Sequence, residues 1–353
     1  MTSESLTSST ITDEFAEKET PVDHRSISDR NSAKGKVLLV VCLFEDNFGD
    51  KLIYNTIDKK LRQAGFETEA VEVSQSLAES RLIEKANNSD FLYFVGGGII
   101  ERYAPEIIRS FDSLRHSLKT PHGVVGLSAG EFDYSDFHES LRLFCDTASF
   151  FFARDEETVE VFKKAGASRL PTAGVDVVLA NDTISKLRRT GHGITASFRN
   201  VPYIDVTGDL DWGRWPEALK KAGVESLIPD CSASQSRLDI PICDAPILRQ
   251  IADAGIVIAM RYHVVLAAAM MGALPIPIAY CPKVARLAEQ LGIGEFCLGI
   301  HDHNRLEEVL GRLRAEEDAI RRRVAGRVVN LERNARAIIN QSINTMERVI
   351  NAR

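Results

Sequence analysis

The sequence predicts an α/β protein in which two Rossmann-like, doubly wound domains face a central cleft and are followed by a C-terminal helix. From residue 35 onward, short β-branched runs alternate with segments of helical composition, a pattern typical of parallel strands joined by helices. The alternation starts again after a polar stretch at residues 181–192. Since 353 residues exceed one ordinary core of about 150 residues, two domains are expected.

This pattern divides the chain into four segments. Residues 1–34 are rich in Ser, Thr, Glu and Asp and hold few large apolar residues, which predicts a disordered N-terminal tail. We expect the first Rossmann-like domain at residues 35–185 and the second at residues 190–305. Residues 306–353 are predicted to form a C-terminal helical segment.

Individual elements follow from short apolar runs and from helical periodicity. In the first domain we predict strands at 37–42, 67–73, 91–95, 124–127 and 150–153, with helices at 52–64, 107–118 and 157–165. In the second domain we predict strands at 193–198, 226–228, 256–259, 274–278 and 296–298, with helices at 215–222, 247–254, 264–271 and 284–291.

The C-terminal segment carries an apolar stripe at helical spacing, formed by Val328, Leu331, Ala335, Ile338, Ile339, Ile343, Met346 and Ile350. We expect this stripe to pack on one of the two domains. A helix that binds a partner protein is the alternative.

Composition excludes several classes of function. The net charge of -7 and the lack of a long basic stripe argue against nucleic-acid binding. Six scattered cysteines without a C-x-x-C pair predict neither a zinc site nor a disulfide framework, and no metal is expected at His301-Asp302-His303, because neighbouring loop residues point apart. Without an apolar leader or a run of roughly 20 apolar residues, the chain is expected to be cytoplasmic.

The clearest functional pattern lies at residues 255–263, where an apolar strand ends in Arg261 and His263. Ligands of open α/β sheets bind outside the carboxyl ends of the strands, and the N-terminus of the following helix favours an anion. Arginine offers forked donors and histidine carries protons near neutral pH, so we predict an anion site with acid/base capability. An ordinary strand end, with both side chains bonded to carbonyls or surface carboxylates, is the alternative.

Polar residues also follow the strands of the first domain. Asn47, Gly49 and Asp50 lie between the first strand and the first helix, where Gly49 permits a tight turn and the polar side chains cap the helix or contact a ligand. Because this loop is not G-x-G-x-x-G, a nicotinamide or flavin dinucleotide is not expected. A turn with a helix cap is the alternative.

A second glycine cluster ends the strand at 91–95. Gly96, Gly97 and Gly98 let the backbone approach an anion or a sugar hydroxyl, and no G-K-[ST] follows, so the cluster is not a nucleotide P-loop. Ser128 and Gly130 repeat the pattern at the next strand end.

Further cations are expected at the same rim as Arg261 and His263. Arg199 ends the strand at 193–198, and Lys283 follows the strand at 274–278. Two arginines, a lysine and a histidine suit a small anion that bears both phosphate and carboxylate.

Together these motifs resemble the polysaccharide pyruvyl transferase family. The resemblance rests on the ordered series Asn47-Phe-Gly-Asp50, Gly96-Gly-Gly98, Gly126-Leu-Ser-Ala-Gly130, Arg154-Asp155, Val175-Asp176, Met260-Arg-Tyr-His263 and Tyr280-Cys-Pro-Lys283. It implies a GT-B-like fold, similar to that of many glycosyltransferases. It also implies transfer of the pyruvyl carbons of phosphoenolpyruvate onto two hydroxyls of a sugar, which gives a cyclic ketal.

The resemblance also implies roles for particular residues. Arg199, Arg261 and His263 match donor-binding positions, with His263 as the acid/base and Arg261 beside it in catalysis. From the needs of the reaction, we expect Lys283 to bind the donor as well and to assist the phosphate. The acceptor is expected on the first-domain half of the cleft, near Asn47, Asp50, Gly96, Gly97, Gly98 and Ser128. No cofactor or metal is expected, because phosphoenolpyruvate itself is the donor.

The acceptor is expected to be a sugar of a polysaccharide, such as an exopolysaccharide, or of its lipid-linked precursor. A lipid-linked acceptor would bring the protein to the inner face of the membrane as a peripheral protein. The acceptor sugar, the ketal stereochemistry and the oligomeric state stay open. Two alternatives also stay open: a glycosyltransferase that uses a nucleotide-sugar donor, and a non-catalytic binding module of a polysaccharide assembly complex.

Overall fold

The chain is built on two parallel β-sheets, one in each half. The structure, a computed structural model, describes residues 33–41, 47–72, 80–97, 119–129, 133–198, 214–228 and 245–353. Residues Lys34–Arg353 form one compact unit. The predicted N-terminal tail, except for its last two residues, and the predicted helix at 107–118 lie outside the described residues.

Among the described residues, the first sheet has six strands in the order β2-β1-β3-β4-β5-β6, and all of its neighbouring strands are parallel. The strands are β1 Lys36–Val41, β2 Glu67–Glu72, β3 Phe91–Gly97, β4 His122–Leu127, β5 Phe151–Ala153 and β6 Thr172–Ala173. The accompanying helices are α1 Phe48–Gln63, α2 Ser80–Asn87, α3 His138–Thr147, α4 Glu156–Lys164 and α5 Asp182–Lys186. Every residue of β3 and β4 is buried, as expected of parallel strands covered on both faces.

Within the described part of the second half, the sheet has five parallel strands in the order β11-β10-β9-β7-β8. The strands are β7 Gly193–Ser197, β8 Ser226–Ile228, β9 Ala254–Ala259, β10 Leu274–Ala279 and β11 Leu298–Gly299. The helices of this half are α6 Arg214–Lys221, α7 Ala245–Ala252, α8 Tyr262–Met271 and α9 Pro282–Gln290.

The structure confirms the predicted alternation and shifts several element ends. The predicted helix at 247–254 was too long, because Ala254 already pairs with Gly193 as the first residue of β9. The predicted strand at 296–298 was wrong in its first half, because Gly294–Phe296 forms a 3-10 turn before β11. The prediction missed the short helices α2, α3 and α5 and the two-residue strand β6.

Helix α8 is the central helix of the unit. All of its residues except His263 are buried hydrophobic residues. It packs on β9 and β10 of its own sheet and also on α1 and α5 of the first half. A helix that is apolar on all sides is stable only when it is surrounded by protein, so the two halves together bury α8.

The C-terminal segment consists of α10 Leu306–Ala315 and the long helix α11 Glu317–Asn351. The predicted stripe faces the interior: Val328, Ala335, Ile339, Ile343 and Met346 are buried and its other members pack against the core. We predicted that the stripe packs on one domain, but α11 contacts elements of both halves. It contacts α8 and α10 as well as α1 and β4.

Polar contacts also join α11 to the first half. Asp182, the first residue of α5, accepts hydrogen bonds from Lys60 of α1 at 2.6 Å and from Arg336 of α11 at 2.7 Å. Burial raises the pKa of Asp182, but these two cations outweigh burial and hold it below its ordinary value. The buried Tyr93 hydroxyl lies 2.6 Å from the Ser342 hydroxyl. The Ser342 hydroxyl donates a hydrogen bond to the Ile339 carbonyl.

The Tyr93–Ser342 contact predicts an asymmetric pair of substitutions. Ser342→Ala leaves the buried Tyr93 hydroxyl without its partner and should lower the free energy of unfolding by about 1–3 kcal/mol. Tyr93→Phe should cost less, because Ser342 keeps its bond to Ile339. Denaturant unfolding measures both, and the double variant should be more stable than Ser342→Ala alone. A double variant that is less stable than Ser342→Ala would contradict this account.

Candidate active site

Three segments from distant parts of the chain meet around His263. Asn47 and Gly49 follow β1, Asp176 follows β6, and Arg261 and His263 follow β9. Within each sheet the strands are parallel, so their carboxyl ends share one edge. The contacts of His263 with Asp176 and Gly49 show that the edges of the two sheets meet here. The predicted meeting of strand ends from the two halves is therefore present at His263.

His263 lies in the first turn of α8 and touches both halves of the unit. Its Nε2 atom lies 3.2 Å from Oδ2 of Asp176, and 11% of its side chain is exposed. Its Nδ1 atom lies against Gly49, because a Cβ atom added at Gly49 would be 1.9 Å from Nδ1. Gly49 belongs to helix α1 rather than to the predicted tight turn, and the close imidazole is the reason that the position needs glycine.

Asp176 is a buried carboxylate with only 1% of its side chain exposed. Oδ1 accepts a hydrogen bond from the Val178 amide at 2.9 Å, and Oδ2 lies 3.7 Å from Nη1 of Arg154. Burial alone raises the pKa of Asp176, but His263, Arg154 and the amide outweigh burial and lower the pKa below its ordinary value. The carboxylate is therefore ionised at neutral pH.

Arg154 is the buried cation of the cluster, with 4% of its side chain exposed. Its Nε atom lies 3.8 Å from Asp155, which caps α4 and accepts the Thr158 amide hydrogen bond at 3.0 Å. Its guanidinium carbon lies 4.9 Å from the centre of the Tyr262 ring, a cation–π geometry. Burial raises the pKa of Tyr262, so this residue contributes a neutral ring.

Arg261 stands at the cap position before α8, and its Nη1 atom lies 3.5 Å from Oδ1 of Asn47. The same Asn47 oxygen caps α1 by accepting the Gly49 amide at 3.0 Å, which is the predicted cap. Lys283 lies in the first turn of α9, directly after β10, so it shares a sheet edge with Arg261. Arg199 lies outside the described residues.

The residues predicted to bind the acceptor differ from one another in the groups that surround them. Gly97 has a φ of +128°, and a Cβ atom there would lie 3.0 Å from Oδ1 of Asp50. Gly96 lies against Gly126, where a Cβ atom would meet the backbone carbonyl carbon at 1.9 Å. Ser128 is buried and its hydroxyl donates to Asp155 at 3.2 Å. Gly98 lies outside the described residues.

Sequence comparison settles the family of the chain. Residues 47–232, more than half of the chain, match the family model described as polysaccharide pyruvyl transferase. The chain belongs to the polysaccharide pyruvyl transferase family. The match includes Asn47, Arg154 and Asp176 and ends before Arg261. A comparison with curated protein sequences gives no match.

Several solved structures are similar to this pyruvyl transferase family member. A putative UDP-N-acetylglucosamine 2-epimerase from Listeria monocytogenes aligns with a TM-score of 0.52 and 15% identity, over 82% of this chain and 90% of that chain. An α-glucosyltransferase in complex with UDP and DNA aligns at 0.49 and 10% identity, over 88% and 99% of the two chains. The spinosyn rhamnosyltransferase SpnG, complexed with thymidine diphosphate, aligns at 0.48 and 12%, over 86% and 96%. At these sequence identities the similarity is evidence of the fold alone. The evidence for the GT-B-like fold comes from the alignment with the epimerase.

Sequence reasoning predicted Arg261 and His263 as site residues but gave no catalytic role to Asp176, Arg154 or Tyr262. Asp176 and Arg154 appeared only as charged residues of the motif series, and the contact between Asp176 and His263 spans 87 residues. In the part of the chain that the structure describes, no helix is both long and apolar enough to span a membrane.

The contact between Gly49 and His263 predicts the effect of one added methyl group. Gly49→Ala should push the imidazole away from Asp176 and lower the free energy of unfolding by about 1–3 kcal/mol, the usual range for overpacking. Denaturant unfolding measures the loss, and the ¹⁵N shifts of His263 report the displaced ring.

Gly311→Ala is the matched control. Gly311 lies in α10, and nothing stands within 4 Å of an added Cβ atom. Alanine there should raise stability by up to about 1 kcal/mol, because it is the better helix former. Equal stability changes at the two positions would contradict the account.

Proposed function

We propose that the protein transfers the pyruvyl group of phosphoenolpyruvate onto two hydroxyls of a sugar, forming a cyclic ketal and releasing phosphate. One observation carries the proposal: Arg261 and the partly exposed His263 follow β9 at the start of α8, where segments of the first half reach them. Family membership supports a pyruvyl transfer reaction, and this pair supplies a cation and a proton carrier for it.

The donor requires fixed positive charge for its phosphate and its carboxylate. Arg261 supplies forked donors at the start of α8, whose peptide dipoles also favour an anion. Lys283 stands at the start of α9 on the neighbouring strand, and Arg199 follows β7 in the sequence. We assign these three cations to the donor, so no cofactor or metal is needed to neutralise it.

The proton balance of the reaction needs one group that both accepts and donates. The first sugar hydroxyl adds to C2 of phosphoenolpyruvate and loses its proton, while the C3 methylene gains a proton and becomes a methyl group. The C2–O bond to phosphate then breaks, the second hydroxyl closes the ketal at C2, and its proton leaves with the phosphate. We assign to His263 the transfer of the first hydroxyl's proton to C3 and of the second hydroxyl's proton to the phosphate. A group that transfers protons in this way typically contributes about 10²- to 10⁴-fold to the rate.

The acceptor is assigned to the first half, beside Asn47, Asp50, Gly97 and the neighbouring residues predicted for it. We propose a sugar of a polysaccharide, such as an exopolysaccharide, or of its lipid-linked precursor. For a lipid-linked acceptor the protein would act as a peripheral protein at the inner face of the membrane.

Parallel incubations of the wild-type protein with candidate acceptors test the proposed function. With phosphoenolpyruvate we expect phosphate release and an acceptor mass gain equal to C₃H₂O₂. Release of nucleoside diphosphate from a nucleotide sugar, with no ketal from phosphoenolpyruvate, would show a glycosyltransferase instead. No turnover with either donor across the acceptor panel would favour a binding module and overturn the proposal.

Replacement of His263 tests its assigned role. His263→Ala should lower ketal formation by about 10²- to 10⁴-fold, because it removes the proton carrier and leaves Arg261 in place. Phosphate release and product mass measure the loss, and circular dichroism checks the fold.

His138→Ala is the control for the loss of an imidazole. His138 is exposed at the start of α3, so this variant should keep wild-type activity. Full activity in His263→Ala would refute the assigned role.

A further inference from the structure

We propose that Asp176 positions His263 for proton transfer and commits Nδ1 of the imidazole to the substrate. The inference rests on the proposed function and names the atom that carries the proton. Asp176 is a positioning residue, because it acts through the histidine.

The contact geometry fixes which nitrogen is protonated. Oδ2 of Asp176 lies 3.2 Å from Nε2 of His263, while Oδ1 is held by the Val178 amide at 2.9 Å. An ionised carboxylate only accepts hydrogen bonds, so Nε2 must be the donor. In the neutral ring Nδ1 then holds the lone pair. This nitrogen lies beside Gly49 of α1, where the absence of a side chain leaves it uncovered, and we assign to it the uptake of a proton from a sugar hydroxyl.

Arg154 keeps the proton on the histidine. Its guanidinium lies 3.7 Å from Oδ2 of Asp176, and both side chains are almost wholly buried. Charges interact more strongly when they are removed from water, so the guanidinium disfavours a neutral Asp176. The Nε2 proton therefore stays on the ring, and a second proton arriving at Nδ1 gives an imidazolium that Asp176 stabilises.

The same arginine also holds the start of α8. Its guanidinium lies over the Tyr262 ring, and that ring lies 5.0 Å from the imidazole with an interplanar angle of 72°. Asp155 holds Arg154 from the other side at 3.8 Å. The direction of the His263 ring is thus set by contacts on more than one side, as preorganised catalysis requires.

The proton path balances with one imidazole. Nδ1 accepts the proton of the first hydroxyl and delivers it to C3, so the ring returns to its neutral form. Nδ1 then accepts the proton of the second hydroxyl and delivers it to the departing phosphate. Nε2 keeps its proton on Asp176 throughout, and no oxidant or reductant is needed.

Asp176→Asn tests the proposal by reversing the hydrogen bond. The amide NH₂ group donates to Nε2, which places the ring proton on Nδ1 and removes the base. We expect kcat for ketal formation to fall by about 10²- to 10⁴-fold, and by no more than in His263→Ala, while KM for phosphoenolpyruvate changes little.

A double-variant cycle separates positioning from folding. In a His263→Ala background, Asp176→Asn should cause no further loss of rate, because its effect passes through the imidazole. Asp182→Asn is the matched control: it removes the same charge from an aspartate bonded to Lys60 and Arg336, and should lower stability with little change in kcat. A further loss of rate in the double variant would overturn the proposal.

A measurement without substrate distinguishes this proposal from the proposed function. ¹⁵N NMR of the imidazole, assigned by comparison with His263→Ala, should show Nε2–H in the wild-type protein and Nδ1–H in Asp176→Asn. The same tautomer in both proteins would refute the positioning role. If the expected tautomers are seen and the wild-type protein forms no ketal, the positioning stands and the pyruvyl transfer fails.

Discussion

The buried carboxylate of Asp176 is the constraint on which the rest of the site depends. An ionised group with 1% of its side chain exposed is stable only when opposite charge and hydrogen bonds replace its lost water. Here Arg154 follows β5, the Val178 amide lies beside Asp176 in the chain, and His263 comes from the second half. Removing one partner of a buried pair typically costs about 3–5 kcal/mol, so charge holds these segments together.

Helix α8 places His263 where it can reach the buried carboxylate. Because α8 is apolar on all sides, it must be enclosed by both halves, and its first turn therefore lies where strand ends of both sheets meet. α11 packs on both α8 and α1, and Asp182 of the first half binds Arg336 of α11 and Lys60 near the other end of α1. A histidine at the start of such a helix is placed by the core itself, without a mobile loop.

The sequence predicted the features that arise from residues close together in the chain, such as strands, helices and the residues that end them. Strand β9 and the residues that end it were visible as an apolar run followed by Arg261 and His263, and α11 was visible as a stripe of period 3.6. Contacts between distant segments were not visible. Gly49 looks like a turn glycine until the imidazole is placed against it, and the sequence around Ser128 does not predict its hydrogen bond to Asp155. Asp176 lies 87 residues from His263, so periodicity gives no sign of the pair.

The origin of the proton added to C3 is the most direct test of the proposed chemistry. The reaction of the wild-type protein with phosphoenolpyruvate and an acceptor in D₂O should give a ketal whose methyl group carries one deuterium, because the proton comes from an exchangeable group. Mass spectrometry and ¹H NMR of the product count that deuterium. A ketal methyl group without deuterium would contradict protonation of the methylene carbon, and an acceptor without the C₃H₂O₂ gain would contradict pyruvyl transfer.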